Sequence, residues 1–286
     1  MDKLNSDTWF TEFHPGAGTA LSYEIKQKLH QEQTPYQDIA IYETTCHGNL
    51  MVIDGFIMLT SNDNFLYHEM MAHCGLFTHQ DPQQVAIIGG GDCGTLREVL
   101  KHSSIKHATQ VDIDERVTRL AEKYFPELCS SNSDPRATLA FEDGTAWIKN
   151  TAPASLDVII VDSTDPIGPG EGLFTEEFYR NCFNALKEDG LLIQQSESPY
   201  YHLALIQSMH QKMRNGGFAC SQLFNFPQPC YPSGWWTATL AGKQAHLPSF
   251  RKQAVLEKNF SCKYYNEDIH ESAQALGNFV AKALQK

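Results

Sequence analysis

The chain has 286 residues, 42% hydrophobic and 20% charged, with a net charge of −12, enough to bury a sizeable core in one large domain plus a smaller one. The acid excess, with no run of Lys or Arg, disfavours a nucleic-acid-binding face, and no stretch of about 20 apolar residues is available to span a membrane. An acidic cleft suits a polycationic substrate, although solubility alone accounts for the same charge. Eight cysteines are scattered without a C-x-x-C pair or zinc spacing, and the polar opening lacks a signal-peptide core. Both features predict a cytoplasmic chain with reduced thiols and no metal.

Residues 22–62 read as β structure. Ser22–Lys26 alternates, Ile39–Glu43 is strand-like, and Asn49–Val52 leads through Asp54-Gly55 to a returning strand, Phe56–Leu59; Asp-Gly between apolar runs marks a hairpin. Residues 64–78 form an apolar helix carrying Tyr67-His68-Glu69. His68 and His73 are five apart, about 140° around a helix, so they cannot share a metal, and His68 is read as packed or substrate-lining. Asp81-Pro82 marks the boundary between a 1–80 β domain and an 81–286 domain.

Beyond it the pattern alternates. Strands are expected at 84–89, 109–113, 137–142, 156–162 and 190–195, and helices at 94–102, 114–124, 175–187 and 201–214. Continuous apolar strands such as Leu156–Val161 belong in a parallel sheet buried on both faces, so the fold class is α/β with a Rossmann-like open sheet. Its first turn, Gly89-Gly90-Gly91-Asp92-Cys93-Gly94, is glycine-rich as in nucleotide-binding strand-turn-helix units. Asp92, however, stands where a phosphate would sit, which disfavours a nicotinamide dinucleotide and favours a cationic ligand.

Four successive strands end in carboxylates, at the sheet edge where such folds bind ligands. Asp92 follows the first. Asp112 ends the second at the spacing of a ribose-binding acid, although Asp114 beside it reads equally as a helix cap. Asp143-Gly144 follows the third, either as an adenine acceptor with room for the ring or as an ordinary turn. Asp162 and Asp165 follow the fourth, and Ile167–Gly172 has the composition of a mobile lid. Gln37, Gln195 and Glu197 are polar at strand positions. Tyr231-Pro232-Ser233-Gly234 before two tryptophans reads as a pocket wall or as core. No G-x-S-x-G elbow or Ser-His-Asp set is evident, which disfavours covalent hydrolysis.

With these residues in view, the chain resembles the spermidine synthases of the polyamine aminopropyltransferase family almost end to end. The likeness runs through Trp9–Glu12, Tyr67–Met71, Gly89–Asp92, Leu96–Val99, Asp162–Pro169, Tyr231–Gly234 and Lys263–Asn266. The resemblance implies an N-terminal β domain and a methyltransferase-like Rossmann domain. It also implies transfer of an aminopropyl group from decarboxylated S-adenosylmethionine, as co-substrate and without a cofactor, to putrescine, giving spermidine and methylthioadenosine. On that likeness Asp162 takes the proton-acceptor place. Gln37, Gly89, Gly91, Asp112, Asp143, Gly144 and Pro169 match the nucleoside set, and Tyr67, His68, Asp92, Asp165, Gln195 and Tyr231 the amine set. A homodimer or homotetramer through the N-terminal region is implied as well. Asp112 replaces the usual Glu, Cys93 a usual Gly or Ala, and Gln274 and Gly277 a Phe and a Pro. Cadaverine, agmatine or spermidine as acceptor, methyl transfer from S-adenosylmethionine to a diamine, and a silent polyamine-binding protein are the competing readings.

Overall fold

The computed structural model describes residues 5, 7–164 and 168–285, with only the backbone at Pro169. The chain opens with β1 (Trp9–His14), β2 (Thr19–Gln33), β3 (Asp38–Thr44), β4 (Asn49–Ile53) and β5 (Phe56–Thr60), which pair in sequence order as an antiparallel meander. Asp54 and Gly55 both have positive φ, 51° and 85°. That is the two-residue hairpin turn expected of Asp-Gly, and it pairs Ile53 with Phe56. β1 was not anticipated; the expected β region began at Ser22.

Next come α1 (Asn64–Thr78), β6 (Gln84–Gly89), α2 (Gly94–Leu100), β7 (His107–Asp112), α3 (Glu115–Tyr124), β8 (Ala137–Phe141), α4 (Gly144–Asn150) and β9 (Leu156–Asp162). After a 3₁₀ segment at Gly168–Phe174 come α5 (Glu176–Ala185), β10 (Leu186–Gln195), α6 (Leu203–Asn215), β11 (Cys220–Pro227), β12 (Trp235–Gly242), α7 (Lys252–Leu256), α8 (Glu267–Ser272) and α9 (Asn278–Leu284). Among the described residues the second sheet has seven strands in the order β11-β12-β10-β9-β6-β7-β8. Strands β10 to β8 in that order run parallel, and β12 is antiparallel to both its neighbours. β9 is buried at every residue, as a strand covered on both faces requires.

Two boundaries differ from expectation. The helical pattern of α5 continues to 187 in the sequence, but Leu186 instead pairs with Leu156 of β9, so the helix stops at Ala185. α1 was grouped with the N-terminal domain, yet its Met70, Met71 and Leu76 pack in one core with Val158, Ile160 and Ile193 of the larger sheet. By packing, the division therefore falls ahead of α1.

The small sheet is the lid of the larger domain. One face, with Ile39, Ile41, Met51 and Leu59, packs on Val117, Leu120, Ala121 and Phe125 of α3 and the turn after it. The other, with Ala40, Leu50, Val52 and Ile57, packs on Cys230 and Tyr231. The carboxyl ends of β6, β7 and β9 are thereby covered by a second wall.

Candidate active site

β6 lies between β7 and β9, so connections leave it on both sides and a crevice opens at its carboxyl end. A cavity of about 370 Å³ occupies that crevice. The larger domain contributes Tyr67, Gly89 to Asp92, Asp112, Asp143, Gly144, Asp162, Gly168, Gly170, Gly172 and Tyr231, and the small sheet contributes Gln37, Met51, Ile53, Phe56 and Met58. The four strand-end carboxylates, Asp92, Asp112, Asp143 and Asp162, therefore share one cavity. Asp165 lies outside the described residues. Residues 168–172 of the expected lid fall in a 3₁₀ helix, Gly168–Phe174.

Asp162 is set by the ladder. It pairs with Gly89 across β6 and β9, and its carbonyl accepts from the N–H of Gly90 at 2.7 Å. Gly89 has a φ of 86°, and any Cβ there would collide with the Asp162 carbonyl, so the turn admits only glycine. The carboxylate is held at both oxygens: Tyr67 Oη donates to Oδ1 at 2.7 Å and Thr95 Oγ1 to Oδ2 at 2.6 Å. Burial, then Asp92, push the Asp162 carboxyl above its ordinary value, against the pull of His68, Thr95 and Tyr67.

Asp92 is organised differently. Its Oδ1 accepts from the Gly94 N–H at 2.6 Å, and His68 Nε2 approaches the carboxylate at 3.2 Å. Burial pushes Asp92 up, but His68 and the Gly94 N–H outweigh it and hold the carboxyl below its usual range. Burial depresses the His68 imidazole, yet Asp92, with Asp162 behind it, more than restores it. The His68 ring lies against Gly94, where a Cβ would strike it. His68 thus stands behind Asp92 rather than in the cavity wall.

Toward the far end, Asp112 Oδ1 accepts from the Asp114 N–H at 2.9 Å. Burial first, opposed by that N–H and reinforced by Asp114's charge, pushes the Asp112 carboxyl up to about 6. A side chain at Gly91 would lie 2.8 Å from Asp112 Oδ2, so this glycine keeps the carboxylate open to a ligand. Asp114 is the cap of α3 and also receives Thr34 Oγ1 and Gln37 Nε2, at 2.7 and 3.0 Å. Gln37 is tethered across the two domains in this way. Asp143 caps α4 through Thr145 and Ala146 and lines the cavity. The Thr145 hydrogen bonds hold its carboxyl low.

Tyr231 Oη donates to the Met58 carbonyl at 2.7 Å, and its ring meets Tyr67 edge-on at 5.7 Å. Gln195 is buried, donates to Glu197 at 3.3 Å and does not line the cavity among the described residues. Two residues escaped the sequence reading. Thr95 faces Asp162 from the first turn of α2, next to the glycine-rich turn. Glu69 accepts the N–H groups of Lys263, Tyr264 and Tyr265 at 2.7–2.8 Å and so clamps the C-terminal segment onto α1. A carboxylate in an otherwise apolar helix was the available signal for such partners.

One other group of possible ligands, His79, Asp157 and Asp189, lies close together among the described residues. It sits at the opposite end of the sheet. There Lys187 Nζ already pairs with Asp157 at 2.7 Å and the Asp81 N–H occupies His79 Nδ1. No helix among the described residues is long and apolar enough to cross a membrane.

An open α/β sheet of the methyltransferase kind carries a glycine-acid turn and carboxylates that converge on one cavity, an architecture suited to a transferase. Residues 64–252 match the spermine/spermidine synthase domain and residues 8–61 the spermidine synthase tetramerisation domain. Polyamine aminopropyltransferases of Methylococcus capsulatus and Thioalkalivibrio sulfidiphilus are both 58% identical, covering 99% and 97% of this chain and 99% and 98% of theirs. The fold superposes on a spermidine synthase crystallised with the transition-state analogue AdoDATO at a TM-score of 0.94 and 37% identity, over 99% of this chain and 97% of that one. The spermidine synthase of Thermotoga maritima gives 0.92, also at 37% identity, over 99% and 96%. The chain belongs to the spermine/spermidine synthase family, and it is a polyamine aminopropyltransferase.

Proposed function

We propose that the protein transfers the aminopropyl group of decarboxylated S-adenosylmethionine to putrescine, giving spermidine and methylthioadenosine, with Asp162 as proton acceptor. The observation that carries this reading is the placement of Asp162: a buried carboxylate with a raised affinity for protons, in the same cavity as Asp92.

The donor's methylene carbon is already activated by the neighbouring sulfonium, so the reaction needs no metal and no covalent intermediate. A neutral amine attacks that carbon, the carbon–sulfur bond breaks, its electron pair neutralises the sulfur, and the new ammonium loses a proton to Asp162. The protein's first task is alignment. Its second is the proton. A solvated carboxylate near 4 faces an amine near 10, a mismatch of about 8 kcal/mol. Burial of Asp162 beside Asp92 narrows that gap from one side, and desolvation of the amine narrows it from the other. Proton loss during attack closes more of it, since nitrogen becomes acidic as its bond forms.

Asp112 takes the ribose hydroxyls, and Asp143 with Gly144 takes the adenine. Gln37, Gly89, Gly91 and Pro169 complete the nucleoside end. Asp92 and Asp165 hold amino groups, with Tyr67 and Tyr231 on the amine side. His68 acts through Asp92. Asp92 also sets donor choice, because the carboxylate that S-adenosylmethionine retains would meet it as a like charge. Oligomerisation through the small sheet, as a homodimer or homotetramer, is supported by the tetramerisation-domain match over residues 8–61.

The test is methylthioadenosine release by the purified protein with decarboxylated S-adenosylmethionine and, separately, putrescine, cadaverine, agmatine and spermidine. Release dependent on putrescine above the others is the expected result. Release with another amine only would reassign the acceptor, and methyl transfer from S-adenosylmethionine would overturn the reaction itself.

A further inference from the structure

The mechanism above uses one of the two hydroxyls that hold Asp162. Tyr67 lines the cavity, whereas Thr95 is fully buried and reaches the base from behind, from the first turn of α2. Its hydrogen goes to Asp162 Oδ2 at 2.6 Å rather than to a carbonyl of the preceding turn, and 2.6 Å is the length of a charge-assisted O–H···O⁻ bond.

We propose that Thr95 is a positioning residue for the Asp162 base, fixing Oδ2 through its hydroxyl so that the carboxylate remains ionised and oriented toward the amine. This rests on the reading of Asp162 as proton acceptor. The charged and titratable groups facing Asp162 are Tyr67 and His68 from α1, Asp92 from the turn after β6, Asp112 from the end of β7 and Tyr231 from the segment before β12. The two aspartates favour keeping a proton on Asp162, and His68 opposes them. A hydroxyl donor favours the charged form directly, and without it Oδ2 would be a buried oxygen with no donor. Thr95 therefore favours the ionised base without entering the cavity.

The sign follows. Removing the hydroxyl makes Asp162 retain its proton to higher pH, so fewer molecules carry a working base on the acid side. In Thr95→Val, which keeps the shape of the side chain, the ratio of variant to wild-type kcat/KM cancels the titration of the diamine itself. That ratio should fall by about 10–100-fold on the acid side, the worth of one hydrogen bond to a charged group, and climb back at alkaline pH. Thr95→Ser should restore the wild-type dependence. If Thr95→Val does not fold, Thr95→Ala serves in its place. The infrared band of the protonated carboxyl, identified by its loss in Asp162→Asn, reports the same shift without turnover. A ratio flat across pH, together with an unshifted band, overturns the proposal. Asp162→Asn separates the two claims: a near-wild-type rate there defeats the base assignment, while a slow rate with a flat Thr95→Val ratio defeats the Thr95 proposal alone.

Discussion

Strand β9 carries an aspartate near each end, and the two are treated oppositely. Asp157, at the start, is 3% exposed; its Oδ1 pairs with Lys187 Nζ at 2.7 Å and its Oδ2 accepts the N–H groups of Gln83 and Gln84 at 3.0 and 2.8 Å. That charge is neutralised by a cation and joins β9 to the start of β6. Asp162, at the other end, is 9% exposed and is held by two hydroxyls, with Asp92 nearby and His68 turned to Asp92. Burial and the like charge of Asp92 leave Asp162 ready to take a proton, against the pull of the two hydroxyls. The sequence shows two acids on one apolar strand; what distinguishes them is the chemistry of their partners.

The comparison can be broken first at Asp162. Asp162→Asn should lower turnover by about 10²–10⁴, read in single-turnover methylthioadenosine release, while the unfolding midpoint moves little because a buried like-charge contact is removed. Asp157→Asn should do the reverse. Losing the Lys187 pairing and weakening the acceptor for two half-buried N–H groups costs about 1–3 kcal/mol in urea unfolding, a range that allows for the half-exposed lysine, with turnover per folded molecule retained.

Asp92 sharpens the contrast from the side of its neighbour. Asp92→Asn should narrow the preference for decarboxylated over intact S-adenosylmethionine by about 10–100-fold, below the full like-charge cost because His68 partly offsets Asp92. Competition between the two donors measures it; an unchanged ratio would leave Asp92 without that role. The smallest effect is expected at Asp112. Its carboxyl is raised to about 6, and on the proposed reading it accepts the ribose hydroxyls in its ionised form. Methylthioadenosine affinity should therefore fall by up to about tenfold per pH unit below about 6, as calorimetry across that range would show. Asp112→Asn should bind more weakly at neutral pH and lose the dependence.

Local pattern made much of this visible. The apolar run at β9, the Asp-Gly hairpin and the glycine-acid turn are signals within a few residues, and the acids at the strand ends followed from them. α4 was missed because two turns of helix leave little periodicity. β11 and β12 were not read as strands, and the aromatics between them were left open as wall or core. Thr95, Glu69 and Asp157 acquire their roles from partners 67, 194 to 196, and 73 to 74 residues away, a kind of contact that no local pattern encodes. His68 was read as packed or substrate-lining; its ring is buried against Gly94 and beside Asp92.

The most direct measurement compares Asp162→Asn and Asp157→Asn side by side, recording the initial rate per folded molecule and the urea midpoint of each. A crossed outcome is predicted: Asp162→Asn stable and slow, Asp157→Asn weakened and fast. If both variants lose rate and stability together, the two ends of β9 are not divided between chemistry and fold, and the assignment of Asp162 as the base is contradicted.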